Sequence, residues 1–181
     1  MAMIAIFIAI STSIIDSGFS NALIRKNEVK KIDYDTVFYF NLVVSGILYI
    51  FLYLLSPAIS SFFKEPVLIE VTRVISWILI INALGIIPRT IFIINVDFKV
   101  QTKASLISSL VSGIVGISMA LFGLGVWSLV GQQLSRQLLN TFFLWFYCRW
   151  RPAWEFSIES FKEMFGFGSK LLVSGLMDTI Y

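Results

Sequence analysis

Two ionisable side chains lie inside apolar stretches where hydrocarbon would not tolerate them, and either could meet a charged ligand. Arg136 falls near the middle of the stretch Val126–Tyr147, with Gln133, Gln137 and Asn140 at offsets of −3, +1 and +4. A polar stripe in such a segment must face protein or water, because lipid tails offer no hydrogen-bond partner. It reads either as a cationic wall for an anionic substrate or as a structural partner for a neighbouring acid or helix. Guanidinium suits the first role, since its planar fork offers several fixed donors and stays charged. Asp16 has Thr12 and Ser20 at spacings of four. It either faces a bundle interior or aqueous cavity, or lies at the headgroups and caps a break at Gly18.

Arg89 is the third charged candidate, and it follows Asn82, Gly85 and Pro88. Proline removes a backbone donor and crowds the preceding turn, so a kink or helix end is expected near Gly85–Pro88. Arg89 would then stand at the inner mouth of a bundle, with Asp97 and Lys99 where the chain leaves the membrane. Interfacial anchoring is the competing reading of these three. Asp16, Arg89, Gln133, Arg136 and Asn140 are thus the candidate substrate- or ion-binding residues.

Other chemistries are poorly served. There is no histidine and one cysteine, Cys148, so imidazole acid–base work and multi-thiolate or disulfide sites are excluded. Cys148 is expected to be a small apolar residue near a helix end. No nucleotide-binding glycine loop, paired-cysteine motif or nucleophile elbow occurs. No catalytic residue, metal or cofactor is expected. A net charge of +3 with dispersed basic residues argues against nucleic acid as a partner.

The elements that must position these residues are membrane helices. Of 181 residues 57% are hydrophobic and 14% charged, where soluble domains carry roughly 25% charged. Thr36–Phe63 and Ala104–Ser135 contain no charge at all, and about 18 such residues suffice to suggest a transmembrane helix. The expected fold is all-α, a polytopic transmembrane bundle without a soluble domain. Its segments are about 2–24, 36–62, 67–96, 104–122 and 126–147, with a sixth from about 163 to 181. Gly123-Leu124-Gly125 separates the fourth from the fifth, since glycine breaks helices. Met1–Ile15 lacks the basic flank and cleavage site of a signal peptide. Both ends fall within apolar helical stretches, so a piece of a longer chain is expected.

Charge asymmetry orients the bundle. Arg25, Lys26, Lys30, Lys31, Arg89, Lys99, Lys103, Arg149, Arg151 and Lys162 fall on one side, Lys64 and Arg73 on the other. Ten against two places the loops near 25–35, 97–103 and 149–162 in the cytoplasm. Small residues recur every four positions, as Ser105, Ser109, Gly113 and as Ser112, Gly116, Ala120, and are expected to pack helices closely. Trp127, Trp145, Trp150 and Trp154 fall near helix ends, as an interfacial belt would place them. Lys170 is open to snorkelling or to facing the interior. The acids Asp33, Asp35, Asp97 and Glu155 look scattered, which argues against a membrane glycosyltransferase or polymerase.

Several stretches in order carry a family resemblance. They are Asp16-Ser17-Gly18-Phe19-Ser20-Asn21-Ala22-Leu23-Ile24-Arg25; Pro88-Arg89 followed by Asp97-Phe98-Lys99; Gly123-Leu124-Gly125-Val126-Trp127-Ser128-Leu129-Val130; and Trp150-Arg151-Pro152 with Phe165-Gly166-Phe167-Gly168. Together they resemble the polysaccharide transporter, or oligosaccharide flippase, family of the multidrug/oligosaccharidyl-lipid/polysaccharide exporter superfamily. The resemblance implies twelve to fourteen helices in two bundles around a cavity, of which this chain would supply helices two to the start of seven. It implies movement of a polyprenyl-diphosphate-linked oligosaccharide from the inner to the outer leaflet of the bacterial plasma membrane by alternating access. The implied partners are that lipid-linked sugar, membrane lipids and the envelope polysaccharide polymerase machinery. The alternative is a cation-coupled multidrug exporter of the same superfamily, which should rely on interior carboxylates.

Overall fold

The computed structural model describes residues 8–12, 15, 19–26 and 28–166. Helices α1 (Phe19–Arg25), α2 (Lys31–Phe63), α3 (Val67–Ile75), α4 (Trp77–Ile94), α5 (Phe98–Leu121) and α6 (Val126–Tyr147) follow in order. Residues 8–12 and 158–166 are helical as well, and the latter form α7. No strand occurs among the described residues. Three helical stretches among them are long and apolar enough to cross a membrane: Lys31–Phe63, Val67–Ile94 and Phe98–Leu121. The expected all-α membrane bundle is what the chain forms.

Burial is inverted relative to a soluble protein. Large apolar side chains stand exposed along α2 (Val43, Ile47, Leu54) and α5 (Leu110, Ile114, Leu121), while Thr36, Asn41, Ser45, Ser56, Thr72 and Ser112 are buried. Lipid tails are as apolar as leucine, so packing and hydrogen bonds between helices, rather than apolar burial alone, hold such a bundle together.

Several expected boundaries move for local reasons. α2 starts at Lys31 rather than near 36, because Asp33 accepts a hydrogen bond from the Lys30 amide at 2.9 Å and closes the first turn. At 33 residues it is about 50 Å long, well beyond a hydrocarbon core of about 30 Å. α5 starts at Phe98 rather than near 104, with Asp97 as its N-cap, accepting from the Val100 amide at 3.4 Å. The stretch 67–96 divides at Ser76. Of the kink or helix end expected near Gly85–Pro88, the end does not occur, since α4 runs through Pro88 to Ile94, close to the expected segment end at 96. α6 spans Val126–Tyr147 as expected, and the last helix begins at 158 rather than 163.

Three helix ends close alike. The chain reverses at Lys64 (φ 56°), Val96 (φ 56°) and Gly123 (φ 77°), all in the left-handed region. In each, the next amide reaches back five residues, from Glu65 to Ser60, Asp97 to Phe92 and Leu124 to Met119, at 2.9–3.2 Å. Glycine is the low-cost residue for that site; only the third end has one, the end the sequence makes plainest.

α5 and α6 form an antiparallel hairpin with close backbones. A Cβ on Gly116 would lie 3.0 Å from Gln132 Cβ, and one on Gly131 would collide with Met119 Sδ. The buried stripe on α5 is Ala104, Ser108, Ser112, Gly116. This shares two residues with one expected small-residue stripe and none with the other. α6 then returns parallel to α4, and Gly85 permits that approach: a Cβ there would sit 2.9 Å from Thr141 Oγ1.

Candidate functional site

α6 carries two polar stripes with different fates. Gln137, Thr141 and Trp145, spaced by one turn, face α4. Gln137 Nε2 donates to Asn82 Oδ1 at 2.9 Å, Thr141 Oγ1 to the Ile81 carbonyl at 3.2 Å, and Trp145 Nε1 to the Leu84 carbonyl at 2.9 Å. Gln133, Arg136 and Asn140 turn toward a cavity of about 430 Å³ that Gln137 also borders and that receives Arg89, Ser105 and Ser108. Ile8 and Ile78 supply apolar wall. A smaller cavity of about 200 Å³ shares Arg89, Ser105 and Asn140 and adds Gln101 and Leu144.

Four of the five candidate residues, Arg89, Gln133, Arg136 and Asn140, therefore line one space. The fifth, Asp16, lies outside the described residues, as do Gly18 and Lys170. No carboxylate lines either cavity among the described residues. Neither guanidinium has an ion-pair partner among the described residues. The buried Ser108 hydroxyl has no hydrogen-bond partner among them. Two cations and uncommitted amide and hydroxyl groups are the donor chemistry that an anion with several acceptor oxygens needs.

Sequence reading missed Gln101 and Ser108 and assigned Ser105 to packing. Gln101, Ser105 and Ser108 are spaced by four and three, the period of one helix face. That stripe becomes visible only when α5 starts at Phe98, which Asp97 as an N-cap signals. The polar stripes also keep α6 out of the set apolar enough to cross a membrane unaided. Arg73, counted above with Lys64 on the less basic side, lies in α3; its Nε donates to Ser56 Oγ at 3.1 Å, and its guanidinium covers the Tyr53 ring at 4.4 Å.

The other charged region is the end where the basic segments gather. Lys26 contacts Glu163 at 2.8 Å and Asp33 at 3.2 Å. Its ammonium pKa is raised, chiefly by the hydrogen bond to Glu163 and further by Asp33, against an opposing burial cost. The Ser157 amide donates to Thr36 Oγ1 at 3.1 Å. Arg151 donates to the carbonyls of Cys148 and Trp150 at 2.7 and 2.9 Å, closing the end of α6. Of the acids expected to be scattered, only Asp33 lines the cleft here, where it is joined by Glu28, Glu159 and Glu163 with Lys26 and Lys30. No group able to hold a metal occurs among the described residues.

Trp145 and Trp150 also depart from the expected belt. Their rings meet at 5.8 Å and both pack on Phe38, at 6.1 and 5.5 Å. Trp154 is 95% exposed, as a belt residue would be. Cys148 is buried with Phe92, Ala104 and Leu144, and burial pushes its thiol pKa up.

A membrane helix bundle with a cationic cavity, free of carboxylates among its described lining residues, is the class that fold and site define. The chain belongs to the polysaccharide biosynthesis protein family, whose pattern matches residues 1–181. It is 24% identical over 170 residues to the teichuronic acid biosynthesis protein TuaB of Bacillus subtilis (strain 168), covering 92% of this chain and 35% of that protein. It is 21% identical over 154 residues to the succinoglycan biosynthesis transport protein ExoT of Rhizobium meliloti (strain 1021), covering 84% of this chain and 31% of that one. The chain spans about a third of the length of these curated relatives. No solved structure matches it.

Proposed function

We propose that this chain forms part of a transporter that moves a lipid-linked oligosaccharide from the inner to the outer leaflet of a bacterial plasma membrane by alternating access. The observation that carries the reading is the cavity shared by Arg89 and Arg136, with Gln133 and Asn140 beside them and no acid among its described lining residues. Such a lining suits the diphosphate of a polyprenyl carrier, because guanidinium pairs bidentately with phosphate oxygens. The sugar would occupy the wider polar space, and the prenyl tail would stay in lipid against exposed apolar faces such as those of α2 and α5. No bond is made or broken, so the protein is a transporter rather than an enzyme. The polysaccharide polymerase machinery is its partner downstream. The family description and the transport role in the name of one relative support this reading.

The end that gathers Lys26, Lys30, Lys31, Arg149 and Arg151 faces the cytoplasm under the positive-inside rule. Deletion of the gene should leave the lipid-linked oligosaccharide on the inner leaflet and deplete surface polysaccharide. Normal outward movement of the labelled intermediate in the deletion strain would end the proposal. An exporter of cationic drugs would instead change drug tolerance and leave the polysaccharide intact.

A further inference from the structure

Proline 88 creates a debt that another helix settles. Inside α4 its missing N–H leaves the Leu84 carbonyl without the donor four residues on. The same happens at Pro57 in α2, where the Ser56 hydroxyl donates to the freed Tyr53 carbonyl at 2.7 Å, a repair within one turn. Before Pro88 stands Ile87, which has no donor to offer. The Leu84 carbonyl instead accepts from the Trp145 indole N–H of α6 at 2.9 Å. One residue beyond the proline, the Arg89 carbonyl accepts from Gln101 Nε2 of α5 at 3.1 Å.

Arg89 is thus fastened by the two helices that supply the rest of the cavity's polar lining. We propose that Trp145 and Gln101 are positioning residues for Arg89, Trp145 by supplying the hydrogen bond that Pro88 cannot and Gln101 by anchoring the Arg89 carbonyl. The cavity role of Arg89 rests on the transporter reading above; its anchoring does not. A guanidinium on a flexible stem reaches a diphosphate reproducibly only if its backbone is fixed against the other donors. Gly85 serves the same end, since only the missing Cβ lets Thr141 approach and bring Trp145 within reach.

The test uses the full protein in native membranes with Cys148→Ala. Cysteines at positions 89 and 140, whose side chains line the same cavities, are joined by a short bifunctional thiol reagent. Trp145→Phe keeps a ring against Phe38 and Trp150 but loses the N–H. It should slow cross-linking about tenfold, as expected from one orphaned buried carbonyl. Pro88→Ala restores a backbone donor for Leu84, so the Trp145→Phe/Pro88→Ala pair should cross-link at the parental rate. Gln101→Leu should slow cross-linking with no rescue by Pro88→Ala.

An unchanged rate in Trp145→Phe, or a slow rate that Pro88→Ala leaves slow, overturns the proposal. If Trp145→Phe fails to accumulate, the pair with Pro88→Ala must accumulate, and its absence too overturns it. Export is then measured with Arg89 intact. Cross-linking that follows these expectations while export stays normal would retain the positioning and remove Arg89 from substrate binding. Loss of export in Trp145→Phe with recovery in the pair would support both.

Discussion

The basic end and the mid-bundle cavity treat charge in opposite ways. At the end, where water is near, Lys26 is held by Asp33 and Glu163 and Arg151 by backbone carbonyls. In the cavity, half-buried Arg89 and exposed Arg136 face a lining without a carboxylate among the described residues. The contrast is one of cations: at the basic end Asp33, 1% exposed, has its cation, while Asp35 is fully buried with no ion pair among the described residues. On the transporter reading proposed above, the unpaired guanidiniums are left for a ligand, and the paired charges tie helix ends together.

The largest effect that could break this contrast is at Arg136. Arg136→Ala should reduce export by about two orders of magnitude at normal membrane abundance, since losing charge-assisted hydrogen bonds from guanidinium to phosphate would cost about 3 kcal/mol. Arg136→Lys keeps the charge but loses the fork, and a fall of about tenfold is expected. If Arg136→Ala instead vanished from the membrane, the residue would be structural and the contrast would fail. Ser105→Glu approaches the same question from the other side. It places an acid between both cavities, where it should occupy the guanidiniums and lower export about tenfold while leaving thermal stability unchanged or higher. Normal export in Ser105→Glu would show that the arginines do not need to be free.

A labelling experiment sharpens the same comparison. Arg136→Cys faces the cavity and should react readily with a small impermeant thiol reagent in open membranes. The native Cys148 is buried and its thiol pKa is raised by that burial, so it should react at least about tenfold more slowly until the protein is denatured. Equal rates would mean that the two regions differ less in water access than their packing indicates.

Much of the fold was legible because it depends on composition and period. Long uncharged runs mark membrane helices, and Gly123-Leu124-Gly125 marks the α5–α6 turn. The joint cavity was half legible. The Gln133, Arg136, Asn140 face on α6 follows from its spacing, but that it meets Arg89 depends on α4 running past Pro88. Proline chemistry allows a kink or an end there as readily as a passage. The carbonyl that Pro88 frees is met by Trp145, 61 residues away, and no local pattern encodes a donor that distant. The gathering of Glu28, Asp33, Glu159 and Glu163 was illegible for the same reason, since the last helix folds back onto the start of α2 through Ser157 and Thr36.

The smallest effect tests the paired side of the comparison, at Lys26. Lys26→Met keeps the stem and removes the charge, leaving the Asp33 carboxylate, 1% exposed, with the Lys30 amide but without its cation. Glu163 is 62% exposed and loses little. A cost of about 1 kcal/mol is expected, as for one favourably placed ion pair near the surface. Its pH dependence identifies the cause. The Lys26 pKa is raised above its ordinary value of 10.5, first by the Glu163 hydrogen bond and then by Asp33. A group whose folded pKa is raised contributes its full stability below the unfolded value and loses it as pH climbs through the folded one. The gap in Tm between the parent and Lys26→Met should therefore be flat from about pH 7 to 9 and close only above the ordinary lysine range. Glu163→Gln should cost less than Lys26→Met, and Arg136→Ala should cost nothing in Tm. A gap that closed below pH 9, or a Tm loss in Arg136→Ala larger than that in Lys26→Met, would reverse which region holds the bundle together and which is kept open for a ligand.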